Sequence, residues 1–160
     1  MSCRDCLSRR DFLTRSTLAV AGAAAVVAGC GDGQIGAGGA TAPILIAPLT
    51  FKVSTVPQLA TVGQLAFAPT DSRIAVKRTG TAPDTFLALS TTCTHEGTMI
   101  SIVNSNTSFE CPNHGARYDS NGNVTRQPQA AGSATKLPSY QTSYDPATDI
   151  LTISQTPAVA

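Results

Sequence analysis

Two short Cys–His pairs constrain this chain more than any other feature. Cys93-x-His95 and Cys111-x-x-His114 are separated by fifteen residues, 96–110, and contain both histidines of the protein. Two thiolates and two imidazoles point to a metal site. Each pair is short enough to come from one tight loop, so two opposed loops can clamp one inorganic centre between them. A zinc ribbon or finger usually groups like ligands, as Cys-x2-4-Cys and His-x3-5-His. Here each loop supplies one of each. A zinc-held loop pair with no redox role is the alternative, and it would hold one metal rather than a cluster.

Cys93-Thr94-His95 and Cys111-Pro112-Asn113-His114-Gly115 resemble the two cluster-binding boxes of the Rieske [2Fe-2S] family, and the resemblance extends over roughly residues 49–155. It implies an all-β fold of small stacked antiparallel sheets with the cluster held at one tip by two loops. It also implies that Cys93 and Cys111 bind one iron while His95 and His114 bind the other. Neutral imidazoles leave less negative charge on their iron than thiolates do, so an added electron is better tolerated there. In quinol-oxidising members each loop carries a further cysteine, and the two form a brace. The matching positions here are Thr98 and Asn113. Those members also place a hydroxyl donor after His-Gly of the second box and a tyrosine two residues later; this chain has Ala116 and Tyr118 there, so one donor is missing and one is kept. Pro128 falls where the family has a proline loop over the cluster.

The first thirty residues read as targeting rather than fold. Arg4, Arg9, Arg10 and Arg15 precede an uncharged stretch from Ser16 to Gly31 with an Ala/Val/Leu-rich centre. Ser8-Arg9-Arg10-Asp11-Phe12-Leu13 resembles the twin-arginine export motif, with Thr14 where a lysine is common. That route carries folded proteins, which agrees with a cluster inserted in the cytoplasm. Val27-Ala28-Gly29-Cys30 resembles a lipobox, making Cys30 the lipidated residue after removal of 1–29. The alternative is a retained anchor, although sixteen uncharged residues fall short of the roughly 20 that a spanning helix needs. Soluble release after cleavage is a third reading; all three place the domain outside the cytoplasm, and the first two keep it on the periplasmic side of the membrane. Cys3 and Cys6 lie in the targeting region, so no cysteine pair remains for a disulfide.

Residues 30–43 read as a Gly/Ala-rich tether and 44–160 as one domain. The chain then alternates with a period of two. Leu49, Phe51 and Val53 predict one half-buried strand and Arg73–Lys77 another, while the apolar run Thr85–Leu89 predicts a strand covered on both faces that leads into Cys93. Met99–Val103 and Phe109–Cys111 predict strands around a turn at Asn104–Thr107, so that the ligand loops belong to neighbouring hairpins. Asn121-Gly122 predicts a tight turn, and Leu137–Tyr140 and Ile150–Ile153 the last strands.

A net charge of +1 with 13% charged residues offers no basic surplus for a phosphate backbone, so no nucleic-acid partner is expected. Nothing resembles a nucleophile with its base. The expected function is one-electron transfer, as a carrier or as the small subunit of a membrane-associated oxidoreductase, with a cytochrome or a larger redox subunit as partner. A Rieske subunit of a quinol–cytochrome c reductase-like complex and a zinc-bearing structural lipoprotein are the competing readings.

Overall fold

The structure is a computed structural model describing residues 44–82 and 85–158, with side chains described as far as Ser154. The twin-arginine signal, Cys30 and the tether lie outside the described residues. Ten strands run in order: β1 (Leu49–Lys52), β2 (Leu65–Ala68), β3 (Asp71–Arg78), β4 (Phe86–Ser90), β5 (Ser101–Val103), β6 (Ser108–Glu110), β7 (Arg117–Asp119), β8 (Val124–Arg126), β9 (Ser139–Asp145) and β10 (Ile150–Ala158). They form a six-stranded sheet, β1-β10-β9-β4-β3-β2, and a four-stranded sheet, β5-β6-β7-β8. Every pairing is antiparallel. Among the described residues the only helices are two single 3-10 turns, Val53–Thr55 and Pro57–Ala60, and no helix is long and apolar enough to cross a membrane.

The larger sheet is buried on both faces at its centre, which explains why β4 reads as a continuous apolar run. Ile74 and Val76 of β3 and Phe86 and Ala88 of β4 enter one core, which also receives Leu59, Leu151 and Ile153. The intervening Ala75, Leu87 and Leu89 face a second core built with Ile100, Phe109, Ala116 and Tyr118 of the smaller sheet and its loops. The period of two thus divides one sheet between two cores. The smaller sheet has short strands and depends on the larger one for its buried face.

Polar ties fasten the smaller sheet in register. Lys77, buried on β3, sends its ammonium to Ser120 Oγ and Asn121 Oδ1 in the β7–β8 turn. Burial lowers the Lys77 pKa, and nearby Asp119 opposes the shift. The Asp119 carboxylate accepts the backbone N–H groups of Asn121 and Asn123, at 2.8 and 2.9 Å, and so shapes the Asn121-Gly122 turn. At the other end, Asn104, Ser105 and Asn106 all take left-handed φ values of 53°, 54° and 64°. The Asn106 carbonyl then accepts the Leu65 N–H at 2.7 Å, joining this turn to β2.

Two expectations need correction. The strand predicted through Val53 stops at Lys52, because the Val53 and Ser54 N–H groups turn to the Asp149 carbonyl and carboxylate, at 3.0 and 2.9 Å. The two ligand loops also do not belong to neighbouring hairpins. The second closes the β6–β7 hairpin, whereas the first carries the chain from β4 in one sheet to β5 in the other, with a lone antiparallel bridge between Thr92 and Met99.

Hydrogen bonds from Ser54 and Tyr144 hold the Asp149 carboxyl below the usual aspartate range. A carboxyl depressed in the folded state stabilises above the unfolded value of about 3.9 and loses that contribution as pH falls through the lower folded value. Asp149→Asn keeps a residue that tolerates the local φ of 60°. It should therefore flatten the fall of melting temperature between about pH 4 and pH 2, measured against the parent chain.

Candidate metal centre

The two ligand loops are built on the same plan. In the first, the Cys93 N–H donates to the Thr98 carbonyl and the Gly97 N–H to the Cys93 carbonyl, both at 2.8 Å. In the second, the Cys111 N–H donates to the Ala116 carbonyl at 2.8 Å and the Gly115 N–H to the Cys111 carbonyl at 3.0 Å. The fifth residue of each turn must take a left-handed φ, 77° at Gly97 and 65° at Gly115, which is why glycine stands at both. Each turn aims its cysteine inward, and both sulfurs are buried.

The four side chains singled out in the sequence come together in two pairs, thiol with thiol and imidazole with imidazole. The Cys111 thiol is near enough to that of Cys93 for the two to influence each other. Burial pushes its pKa up, while the Asn113 and His114 backbone N–H groups pull it down and the Cys93 thiol raises it further. The Nδ1 atoms of His95 and His114 face each other at 3.3 Å. A tetrahedral metal ion with bonds of about 2.0–2.1 Å would hold two ring nitrogens roughly 3.3–3.4 Å apart, so this spacing suits one ion taking both lone pairs. Two neighbouring buried thiols and two converging imidazoles, presented by the same two turns, fit a group with one thiolate-bound and one imidazole-bound metal.

The imidazoles differ in their surroundings. His95 is only 4% exposed, against 27% for His114. The outer Nε2 of His95 sits 2.8 Å from the Ala131 carbonyl, which accepts its proton and leaves Nδ1 as the free lone pair. Gly132, with φ of 99°, makes this cover fit, because a Cβ there would lie 3.0 Å from His95 Nε2.

Tyr118 is fully buried, with its hydroxyl 3.2 Å from Cys93 Sγ and 3.3 Å from Thr94 Oγ1. Thr94 already gives its proton to the Thr135 carbonyl at 2.7 Å and accepts the Thr135 N–H at 2.9 Å. Tyr118 therefore has one proton to give, to Thr94 Oγ1 or, once Cys93 is deprotonated, to its sulfur. Burial foremost, and the neighbouring Cys93, push the tyrosine pKa up, so this donor keeps its proton.

The remaining predicted positions take simpler places. Thr98 contributes its carbonyl to the first turn, Ala116 is buried beside the cysteines, and Asn113 Nδ2 donates to Glu96 Oε2 at 3.4 Å. Pro128 is half-buried and starts a segment that spans both loops. Arg126 Nε donates to the Gly115 carbonyl at 2.7 Å, the Gln129 N–H to the His114 carbonyl at 2.8 Å, Ala131 caps His95, and Thr135 holds Thr94. Residues 126–135 thus act as a strap across the ligand turns. Sequence reading missed Gln129, Ala131 and Thr135, because main-chain acceptors and donors leave no residue-type signature; it also missed Arg126, whose side chain reaches a carbonyl, and Gly132, whose type is set by a ring distant in sequence. Glu96 and Thr94 were within reach, since both flank His95. An open cleft of about 530 Å³ flanks the second loop, between His114, Glu110 and Arg126.

Comparison with known families matches residues 50–141 to the Rieske [2Fe-2S] domain. The chain belongs to that family, and a [2Fe-2S] cluster is the cofactor this implies. Among solved structures it is similar to the cyanobacterial plasma membrane Rieske protein PetC3 from Synechocystis PCC 6803, with 26% identity, a TM-score of 0.47, and coverage of 65% of this chain and 98% of that one. The comparison with curated proteins gave no match.

Gly132→Ala forces a side chain into a left-handed backbone and against His95. A cost of about 1–3 kcal/mol is expected, read as a lower urea midpoint at unchanged m-value.

Proposed function

We propose that this protein is a one-electron carrier, or the small electron-transfer subunit of a membrane-associated oxidoreductase, working outside the cytoplasm. The observation that carries the site assignment is the pair of Nδ1 atoms at 3.3 Å, presented by the same two turns that bury Cys93 and Cys111. Cys93 and Cys111 would hold one iron, His95 and His114 the other. When bound, the cluster supplies reversible one-electron chemistry. The protein's own groups position and insulate it. Tyr118 gives a hydrogen bond to the Cys93 sulfur, the Ala131 carbonyl fixes the His95 ring, and the second core excludes water from both cysteines. The half-exposed edge of His114 is where a partner such as a cytochrome or a larger redox subunit can approach.

The sequence supports the location. Arg9-Arg10 and the apolar stretch behind them would export the folded chain by the twin-arginine route, and Cys30 would carry the lipid that anchors it.

One-electron reduction of the purified protein should give the paramagnetic spectrum of a mixed-valence cluster with mixed sulfur and nitrogen ligation. Colourless protein with one zinc per chain would instead support the structural-lipoprotein reading. Mass spectrometry of the membrane fraction should find a lipidated N-terminus at Cys30, whereas a chain retaining Arg9 and Arg10 would favour the retained anchor.

Ala116 takes the place of a hydroxyl donor, so the potential should lie below that of quinol-oxidising relatives. Reduction adds negative charge, and a hydrogen bond to a charged group is worth about 1.5–3 kcal/mol, of which only the difference between redox states counts. With about 1–2 kcal/mol of that surviving as the difference, Ala116→Ser should raise the potential by roughly 40–90 mV in protein-film voltammetry, given 59 mV per tenfold for one electron.

A further inference from the structure

Glu96 is a charged residue at the tip that neither the cofactor nor the fold requires. It lies between His95 and Gly97 in the first turn, yet its carboxylate turns toward the second. Oε2 is 3.4 Å from His114 Nδ1, Oε1 is 3.9 Å from His95 Nε2, and Asn113 Nδ2 donates to Oε2 at 3.4 Å. Both imidazoles and this carboxylate place their ligating atoms within 4.8 Å of one another. The other charges near the second turn are Arg126, Arg117 and Glu110. Glu110 pairs with both arginines at 3.2 Å, so that group carries a net positive charge on the cleft side. Glu96 is the acidic side chain in contact with the histidines.

Resting on the reading above, in which the histidines hold the reducible iron, we propose that Glu96 lowers the working potential of the centre and ties the two ligand turns together through Asn113. Reduction puts one additional electron on the imidazole-bound side. A fixed negative charge a few ångströms away opposes that electron and favours the oxidised form. Once each Nδ1 lone pair is turned to a metal, the imidazoles offer the carboxylate no proton from that side, so its charge is not cancelled by a histidine proton there. Asn113 remains as its donor, which keeps the carboxylate over the site. The side chain is 52% exposed, so solvent and salt screen the effect without removing it. The same contact joins the loops at the level where Thr98 and Asn113 leave no covalent link.

The test is protein-film voltammetry of the cluster-loaded parent chain, Glu96→Gln and Glu96→Asp at one pH and at two salt concentrations. Glu96→Gln keeps the size and the acceptor oxygen for Asn113 but removes the charge. It should favour reduction by about tenfold, a rise of about 59 mV. The rise should shrink at high salt, and Glu96→Asp should retain most of the lower potential. A Glu96→Gln potential that coincides with the parent's while the cluster spectrum is intact overturns the inference. So does a Glu96→Asp shift as large as that of Glu96→Gln, which would make the effect one of loop geometry. A parent chain that loads no cluster would instead overturn the function on which the inference rests.

Discussion

The hydrogen bond from the Cys93 N–H to the Thr98 carbonyl, with its counterpart from Cys111 to Ala116, closes the two turns on which the centre is built. Each bond fixes where a sulfur points, and the glycine four residues on allows the chain to return. The histidines then follow from short spacings, two residues after one cysteine and three after the other. Opening either turn would separate the thiols and withdraw an imidazole.

Backbone turns alone are weak holders of a charged inorganic group. Both described cysteines are free, so no disulfide links the loops. The chain uses many separate hydrogen bonds instead. Arg126, Gln129, Ala131 and Thr135 each reach a different residue of the two turns, and Tyr118 joins Cys93 to Thr94 from beneath. A hydrogen bond contributes on the order of 1 kcal/mol, so several in parallel match a single covalent brace only if all are formed together. The larger sheet makes that cooperation achievable. Ala75 and Leu89 supply the wall against which Phe109 and Tyr118 pack, and Lys77 holds the β7–β8 turn that precedes the strap.

The centre was legible because thiol and imidazole are distinctive side chains with few other reasons to recur in paired form. The strands of the larger sheet were legible for a similar reason, since burial on one or both faces writes a period of two or a continuous apolar run, as in β3 and β4. What could not be read was carried by the main chain. Val53 has the right side chain for a strand, but the Asp149 carbonyl, almost one hundred positions away, takes its N–H and ends the ladder. The Ala131 carbonyl over His95 is equally silent, because any residue offers a carbonyl. Only Gly132 beside it carries a constraint of type, and a lone glycine in a polar segment does not announce which ring it has to clear.

The strap has a consequence for the order in which the protein is made. The ligands occupy residues 93–114, but the groups that cover and tie them arrive at 126–135, and the strand pairing that anchors the far end, β9 against β4, only from 139 onward. During synthesis from the N-terminus the four donors therefore emerge well before their cover. A chain made only as far as residue 125 lacks the groups that cover the two turns in the finished fold. The covering segment is thus the last part of the site to be made, and a group bound before it is in place would be enclosed by its arrival.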